Sequence, residues 1–229
     1  RKDDGLPVGC LSGMRPFPRG VRDAARGTGG MSRVRFLFSK RGLASFVPHV
    51  EIPPLLSRSA RRAGLKPLLT EGFSPHPRIS LGPALPVGVP SLAEPAEIWL
   101  EKWEEGMLES WSRCMPHGFG LLRAAEVEGP SLNRLCKTAD YRVFFRNGFP
   151  GLLEAMKILE DHIQEKDLLI LAEKDGEALR SVIAQPDRVG PGFFVKAFQA
   201  AGVVAGWQEL LILRTEVGTW EENRVKPLV

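Results

Sequence analysis

Apolar and polar side chains alternate cleanly over Arg33–Phe38, with Val34, Phe36 and Phe38 on one face and Arg33 and Arg35 on the other. A period of two marks a half-buried strand. Ser39-Lys40-Arg41-Gly42 closes it, and the period then lengthens. Pro53-Pro54 suits the first turn of a helix, where no backbone N–H is needed; Leu56, Ala60 and Ala63 follow at helical spacing until Gly64. The pattern predicts a second strand near Ile79–Leu81 and a third over Ala96–Leu100. Trp103, Met107, Leu108, Trp111 and Met115 then mark an amphipathic helix that stops at Pro116-His117-Gly118, and Phe119–Val127 gives a fourth strand. The order is βαββαβ.

The same order returns. Tyr141–Arg146 reads as a strand, Phe149–Ile163 as a helix with Leu152, Met156, Leu159 and Ile163 on one face, and Leu168–Ala172 as a strand. Lys174-Asp175-Gly176-Glu177 signals a tight hairpin into Ala178–Ile183. Gly190-Pro191-Gly192 opens a helix carrying Phe194, Ala197, Phe198 and Ala201, and Gln208–Val217 closes with a strand. Two successive βαββαβ units predict an α+β fold of two tandem ferredoxin-like lobes, over 31–130 and 138–229. Each lobe is expected to have a four-stranded antiparallel sheet with two helices on one face. Residues 1–30, with seven glycines, six Lys/Arg and almost no apolar periodicity, read as a disordered leader. Met31 directly precedes the first strand and would serve as a start, which would make the leader non-native.

Composition narrows the class. At 229 residues and 43% hydrophobic content the chain can bury a sizeable core. No apolar run approaches the roughly 20 residues of a membrane span, and residues 1–30 hold no apolar signal core. Three cysteines, Cys10, Cys114 and Cys136, are too few and too scattered for a disulfide framework or a zinc ribbon, which fits a cytoplasmic protein. The net charge of +4 is unevenly spread: residues 31–100 hold nine Lys/Arg against four Asp/Glu, and residues 151–229 nine against thirteen. The basic half favours an anionic partner.

Nucleotide-loop, dinucleotide, zinc-protease and serine-hydrolase signatures are all missing, as is the Cys-x-x-x-Cys-x-x-Cys of a radical SAM cluster. One dense stretch remains. It runs from Ser39-Lys40-Arg41-Gly42 through Phe46-Val47-Pro48-His49-Val50-Glu51 and Arg61-Arg62-Ala63-Gly64-Leu65 to Glu71-Gly72-Phe73-Ser74-Pro75-His76-Pro77-Arg78-Ile79-Ser80. Pro83-Ala84-Leu85-Pro86-Val87-Gly88 and Glu94-Pro95-Ala96-Glu97 complete it.

At these residues the chain resembles the radical-SAM-associated (radical-SAM-linked) family, a domain of unknown function fused to, or encoded beside, cobalamin-binding radical SAM proteins. The resemblance is specific from Arg33 to about Glu97 and looser through Leu132–Val143, Glu177–Ala184 and Arg214-Thr215-Glu216. Glu51, Arg78 and Glu97 stand where the family has Asp, Lys and Asp; Ser74 replaces Asn and Pro95 replaces Tyr. The resemblance implies a radical SAM partner that carries an iron–sulfur cluster, S-adenosylmethionine and cobalamin, with no cofactor bound by this chain.

The residues themselves suggest a polar pocket. His49 and Glu51 sit just before a helix start, Arg61 and Arg62 lie at that helix's far end, and His76 is held between two prolines ahead of Arg78. We therefore take Lys40, Arg41, His49, Glu51, Arg61, Arg62, Ser74, His76, Arg78, Glu94 and Glu97 as ligand- or partner-binding candidates, with His49, Glu51, His76 and Arg78 converging. The plain alternative makes Glu51 a helix cap and His76 a turn residue. The histidines and carboxylate match no metal-ligand spacing, so no metal is assigned. Arg33 and Arg35 are expected on an open sheet face, a position used for RNA in ferredoxin-like sheets, although stacking aromatics are missing from it. Three functions follow: an auxiliary module that binds the substrate of a radical SAM enzyme, RNA included, or docks to that enzyme; a stand-alone RNA-binding or RNA-processing protein; or a scaffold without a ligand.

Overall fold

The computed structural model describes residues 31–163 and 167–229; the expected leader, 1–30, lies outside the described residues. The fold is mixed α+β, a nine-stranded and mostly antiparallel sheet with few helices. Strands β1 (Ser32–Lys40), β2 (Ile79–Leu81), β3 (Ser91–Leu100) and β4 (Phe119–Glu126) form the first half, with helices α1 (Ile52–Arg62) and α2 (Met107–Arg113). A short α3 (Leu132–Leu135) leads into β5 (Thr138–Phe145), α4 (Leu152–His162), β6 (Leu169–Asp175), β7 (Ala178–Ala184), α5 (Gly192–Ala200), β8 (Leu210–Glu221) and β9 (Arg224–Pro227). The strand order is β4-β1-β3-β8-β5-β7-β6, with β2 on β3 and β9 on β8.

Two separate sheets were the expectation; the strands join in one. The join is a parallel pairing of β3 with β8 at Ser91 and Arg214. It is possible because β2 covers β3 only opposite Ala96–Ile98, which leaves the Ser91 end of that edge for a strand of the other half. Sequence patterning also missed α3 and β9. The β9 hairpin turns at Glu222-Asn223, both at positive φ, so the turn forms without the glycine that usually announces it. Gly218 then faces Lys226 across the pair so closely that a Cβ would fall 1.8 Å from its carbonyl oxygen.

Each half has its own core. In the first, Val34, Phe36 and Phe38 pack with Leu56, Ala60, Ile98 and Trp111, and Phe36 meets the Trp111 ring edge-on at 4.8 Å. The indole N–H of Trp111 donates to Ser59 Oγ at 2.8 Å, so a fully buried tryptophan has its one polar group satisfied. Trp111→Phe should lower stability by about 2 kcal/mol, through lost ring volume and the lost hydrogen bond. Urea unfolding measures this; a loss under about 0.5 kcal/mol would show that the indole does not anchor α2. In the second half Tyr141, Val143, Leu159, Phe194, Phe198 and Ile212 form the core, with Leu85 and Val89 reaching in from the β2–β3 connection.

Candidate functional site

The two cores meet at the β3–β8 pairing, and there the buried face turns polar. Glu94 lies opposite Phe38, so its carboxylate points to the helix-covered side, and Lys40 lies opposite Ser91 on the same strand pair. Arg214 is opposite Tyr141, a core residue of the second half. The guanidinium of Arg214 is fully buried and grips Glu94 with two donors: Nε to Oε1 at 2.8 Å and a short contact from Nη2 to Oε2. Nη2 also donates to the Pro83 carbonyl at 2.7 Å. This planar, two-pronged pairing is the arrangement in which a buried ion pair survives loss of water.

Lys40 is less well served. It is 1% exposed, and its ammonium makes one long hydrogen bond, 3.3 Å to the Val47 carbonyl. Burial lowers the Lys40 pKa, with Glu94 pulling it back up and Arg214 pushing it further down. His49, half-buried on the turn ahead of α1, shares the same field: burial lowers its pKa, Glu94 opposes, and Arg214 and Lys40 reinforce. Complete burial works against the Arg214 charge, but Glu94 and Tyr141 outweigh it and hold the guanidinium above its ordinary range. Around these charges the hydroxyls of Ser91 and Ser181 are buried with no hydrogen-bond partner among the described residues, and that of Tyr141, beside the Arg214 guanidinium, has no acceptor for its own proton. Cys136 borders the same field, and burial pushes its thiol up to about 12, which disarms it as a nucleophile. Among the described residues no group of three His, Cys, Asp or Glu is placed to hold a metal ion.

The other candidates lie elsewhere, for geometric reasons. Glu97 is three residues from Glu94 along one strand and so falls on the opposite face. There it accepts hydrogen bonds from both arginines of β1: Arg33 Nη2 at 2.8 Å and Arg35 Nη2 at 2.7 Å to Oε1, and Arg33 Nε at 3.0 Å to Oε2. Arg33 also donates to the carbonyls of Gly129 and Pro130 at 2.9 and 2.7 Å, and Arg35 to Pro130 at 3.2 Å. The face expected to be open at Arg33 and Arg35 is therefore closed by Glu97 and by the connection between the halves; Arg35 is buried.

His49, Glu51, His76 and Arg78 do not converge. His49 lies in the field of Glu94, whereas Arg78 pairs through its carbonyl with the N–H of Trp99, five residues or roughly 17 Å of strand rise beyond Glu94 on β3. The Arg78 guanidinium lies over the Trp99 ring at 4.3 Å. His76 is absorbed by a turn: its backbone N–H donates to Thr70 Oγ1 at 3.2 Å, and its Nδ1 is 3.1 Å from that same hydroxyl. Ser74, Glu51, Arg41 and Arg61 are exposed. Glu51 sits at the N-cap, immediately before α1, and makes no side-chain capping hydrogen bond, and Arg62 donates to the Cys114 carbonyl at 3.1 Å.

Sequence reasoning thus found Lys40, His49 and Glu94 but missed Arg214, Tyr141, Ser91 and Ser181 as parts of one cluster. No period in the sequence marks Arg214: Leu210-Leu211-Ile212-Leu213 is apolar throughout, and only the folded strand shows that Arg214 shares the buried face of Leu210 and Ile212.

Comparison with known proteins is sparse in functional content. A family model described as an uncharacterized protein conserved in bacteria, DUF2344, matches residues 33–185. No curated protein matches the chain. Among solved structures 22 chains match. One is an unknown protein from Galdieria sulphuraria, 10% identical, with 84% of this chain and all of that chain covered and a TM-score of 0.27. No helix among the described residues is long and apolar enough to cross a membrane.

Proposed function

We propose, for a chain that belongs to the DUF2344 family of proteins conserved in bacteria, that it is an auxiliary module which docks onto a partner enzyme and presents to it the buried cluster at the β3–β8 join. The resemblance over residues 33–97 makes that partner a radical SAM enzyme, encoded nearby or fused. Two tandem ferredoxin-like lobes are the architecture this reading assigns, and the orders β4-β1-β3-β2 and β8-β5-β7-β6 support it.

One observation carries the docking reading. The β1–α1 connection, whose second turn bears His49 and Val50, carries Leu43 and Phe46 on its first; Leu43, Phe46 and Val50 are 86%, 62% and 74% exposed, and the Phe46 ring lies beside Gly88, next to exposed Val87. Exposed apolar side chains on the same connection as His49, in the basic half of the chain, suit a protein partner with an acidic rim. Single-stranded RNA is the weaker occupant, because Arg33 and Arg35 are already engaged by Glu97.

Phe46→Ser tests it. An exposed phenylalanine contributes little to folding, so the melting temperature should stay within a degree or two. Affinity for the radical SAM protein encoded beside the gene, read by calorimetry, should fall roughly tenfold or more if Phe46 anchors the contact. Equal affinity of wild type and Phe46→Ser would remove the docking face. Binding to bulk tRNA that weakens steeply with salt and ignores Phe46 would select the RNA-binding reading instead.

A further inference from the structure

The buried cluster at the β3–β8 join contains more hydrogen-bond donors than acceptors. Arg214 takes both Glu94 oxygens and the Pro83 and Ala84 carbonyls, and among the described residues no hydrogen bond joins Lys40 to Glu94. Lys40, 1% exposed, retains two N–H donors beyond its single long bond to Val47. Ser91, its cross-strand neighbour, and Tyr141, the cross-strand neighbour of Arg214, each carry a buried hydroxyl with no acceptor among the described residues. Counting formal charges, Lys40 and Arg214 against Glu94 leave one positive charge among buried side chains. Buried charges are stable when paired, and buried donors when bonded.

We propose that this join is a binding site for an oxyanion, a carboxylate or phosphate monoanion, held by the ammonium of Lys40 and the hydroxyls of Ser91 and Tyr141. Arg214 and Glu94 form the rigid floor, and half-buried His49 stands at the way in. One negative charge neutralises the cluster. Oxygen lone pairs supply the acceptors that the donors lack. The inference concerns this chain alone and holds whether or not the docking face is used.

The test uses the full chain with sodium phosphate and, separately, sodium acetate, at constant ionic strength and matched counter-ion, reading the melting temperature and calorimetric heats. A ligand that binds only the folded state stabilises it in proportion to the logarithm of its saturation. We expect one of the two anions to raise the melting temperature saturably, and which one does so identifies the oxyanion class. Lys40→Met nearly keeps the side-chain volume and removes a charge that has one carbonyl partner; it should fold and melt no lower than wild type in anion-free buffer. It should lose the saturable response, and Ser91→Ala should weaken it roughly tenfold. Phosphate also stabilises proteins non-specifically. An equal response in wild type and Lys40→Met would therefore overturn the site. So would no saturable response to either anion, or a structure in phosphate and acetate with ordered water only on Lys40 and Ser91. If Lys40→Met fails to fold, the Ser91→Ala titration decides alone, an unchanged affinity counting against the proposal.

Discussion

Replacing Arg214 by methionine should lower the unfolding free energy by about 4 kcal/mol, the range found when one partner of a buried ion pair is removed. The substitution strands the Glu94 carboxylate, 6% exposed, and deprives the Pro83 carbonyl of its donor. Lys40 is within the same field but cannot replace a two-pronged donor, since an ammonium is a point charge on a flexible stem. At roughly 2–4 °C per kcal/mol for a chain of this size, the melting temperature should fall by about 10 °C. The double variant Arg214→Met, Glu94→Met removes both charges together and should recover most of the loss, because two apolar side chains of similar length fill the same space. Urea unfolding of wild type, the single and the double variant settles it. A single variant within about 1 kcal/mol of wild type would mean that the pair does not bind the halves together.

The contrast between what local pattern reveals and what it hides is clearest at this join. β1 is legible because Val34, Phe36 and Phe38 alternate with Arg33 and Arg35, and that alternation survives folding unchanged: the three apolar side chains enter the core and the arginines face the other way. α1 is legible from its paired prolines and its spacing of Leu56 and Ala60. Lys40, His49 and Glu94 were reachable from the density of polar side chains between residues 39 and 97. Their counterpart Arg214 is 120 residues from Glu94, and no short-range period reports a contact of that span. The joining of the halves was hidden for the same reason, since it depends on how little of β3 is covered by β2.

His76 shows the opposite failure. Two flanking prolines do stiffen its backbone, as the sequence implies, but stiffness serves the turn: Thr70 N–H donates to the His76 carbonyl at 2.8 Å while the Thr70 hydroxyl meets the ring. A constrained histidine beside an arginine reads as a site until the partner of each group is known. Here the ring of His76 meets Thr70 and the guanidinium of Arg78 meets the face of Trp99; neither meets His49.

The face of the sheet opposite the cluster offers a second large effect, with an unusual sign. Glu97, 1% exposed, is the shared carboxylate partner of two arginines, one of them buried. Glu97→Gln keeps the shape and removes the charge, which sets two unneutralised guanidiniums side by side. Stability should fall by about 3 kcal/mol, since Arg35 then remains buried without a counter-charge while Arg33 keeps the carbonyls of Gly129 and Pro130. The same change should raise affinity for bulk tRNA, because two cations formerly spent on Glu97 become available to phosphates; the logarithmic salt slope should steepen by one to two. Lower stability with stronger anion binding is an outcome that general damage to the fold does not produce. Urea unfolding and filter binding at two salt concentrations measure the two halves of the prediction. Should wild type already bind tRNA tightly and Glu97→Gln leave that binding unchanged, Glu97 would not be what closes this face, and the arginines of β1 would be available to RNA in the native chain.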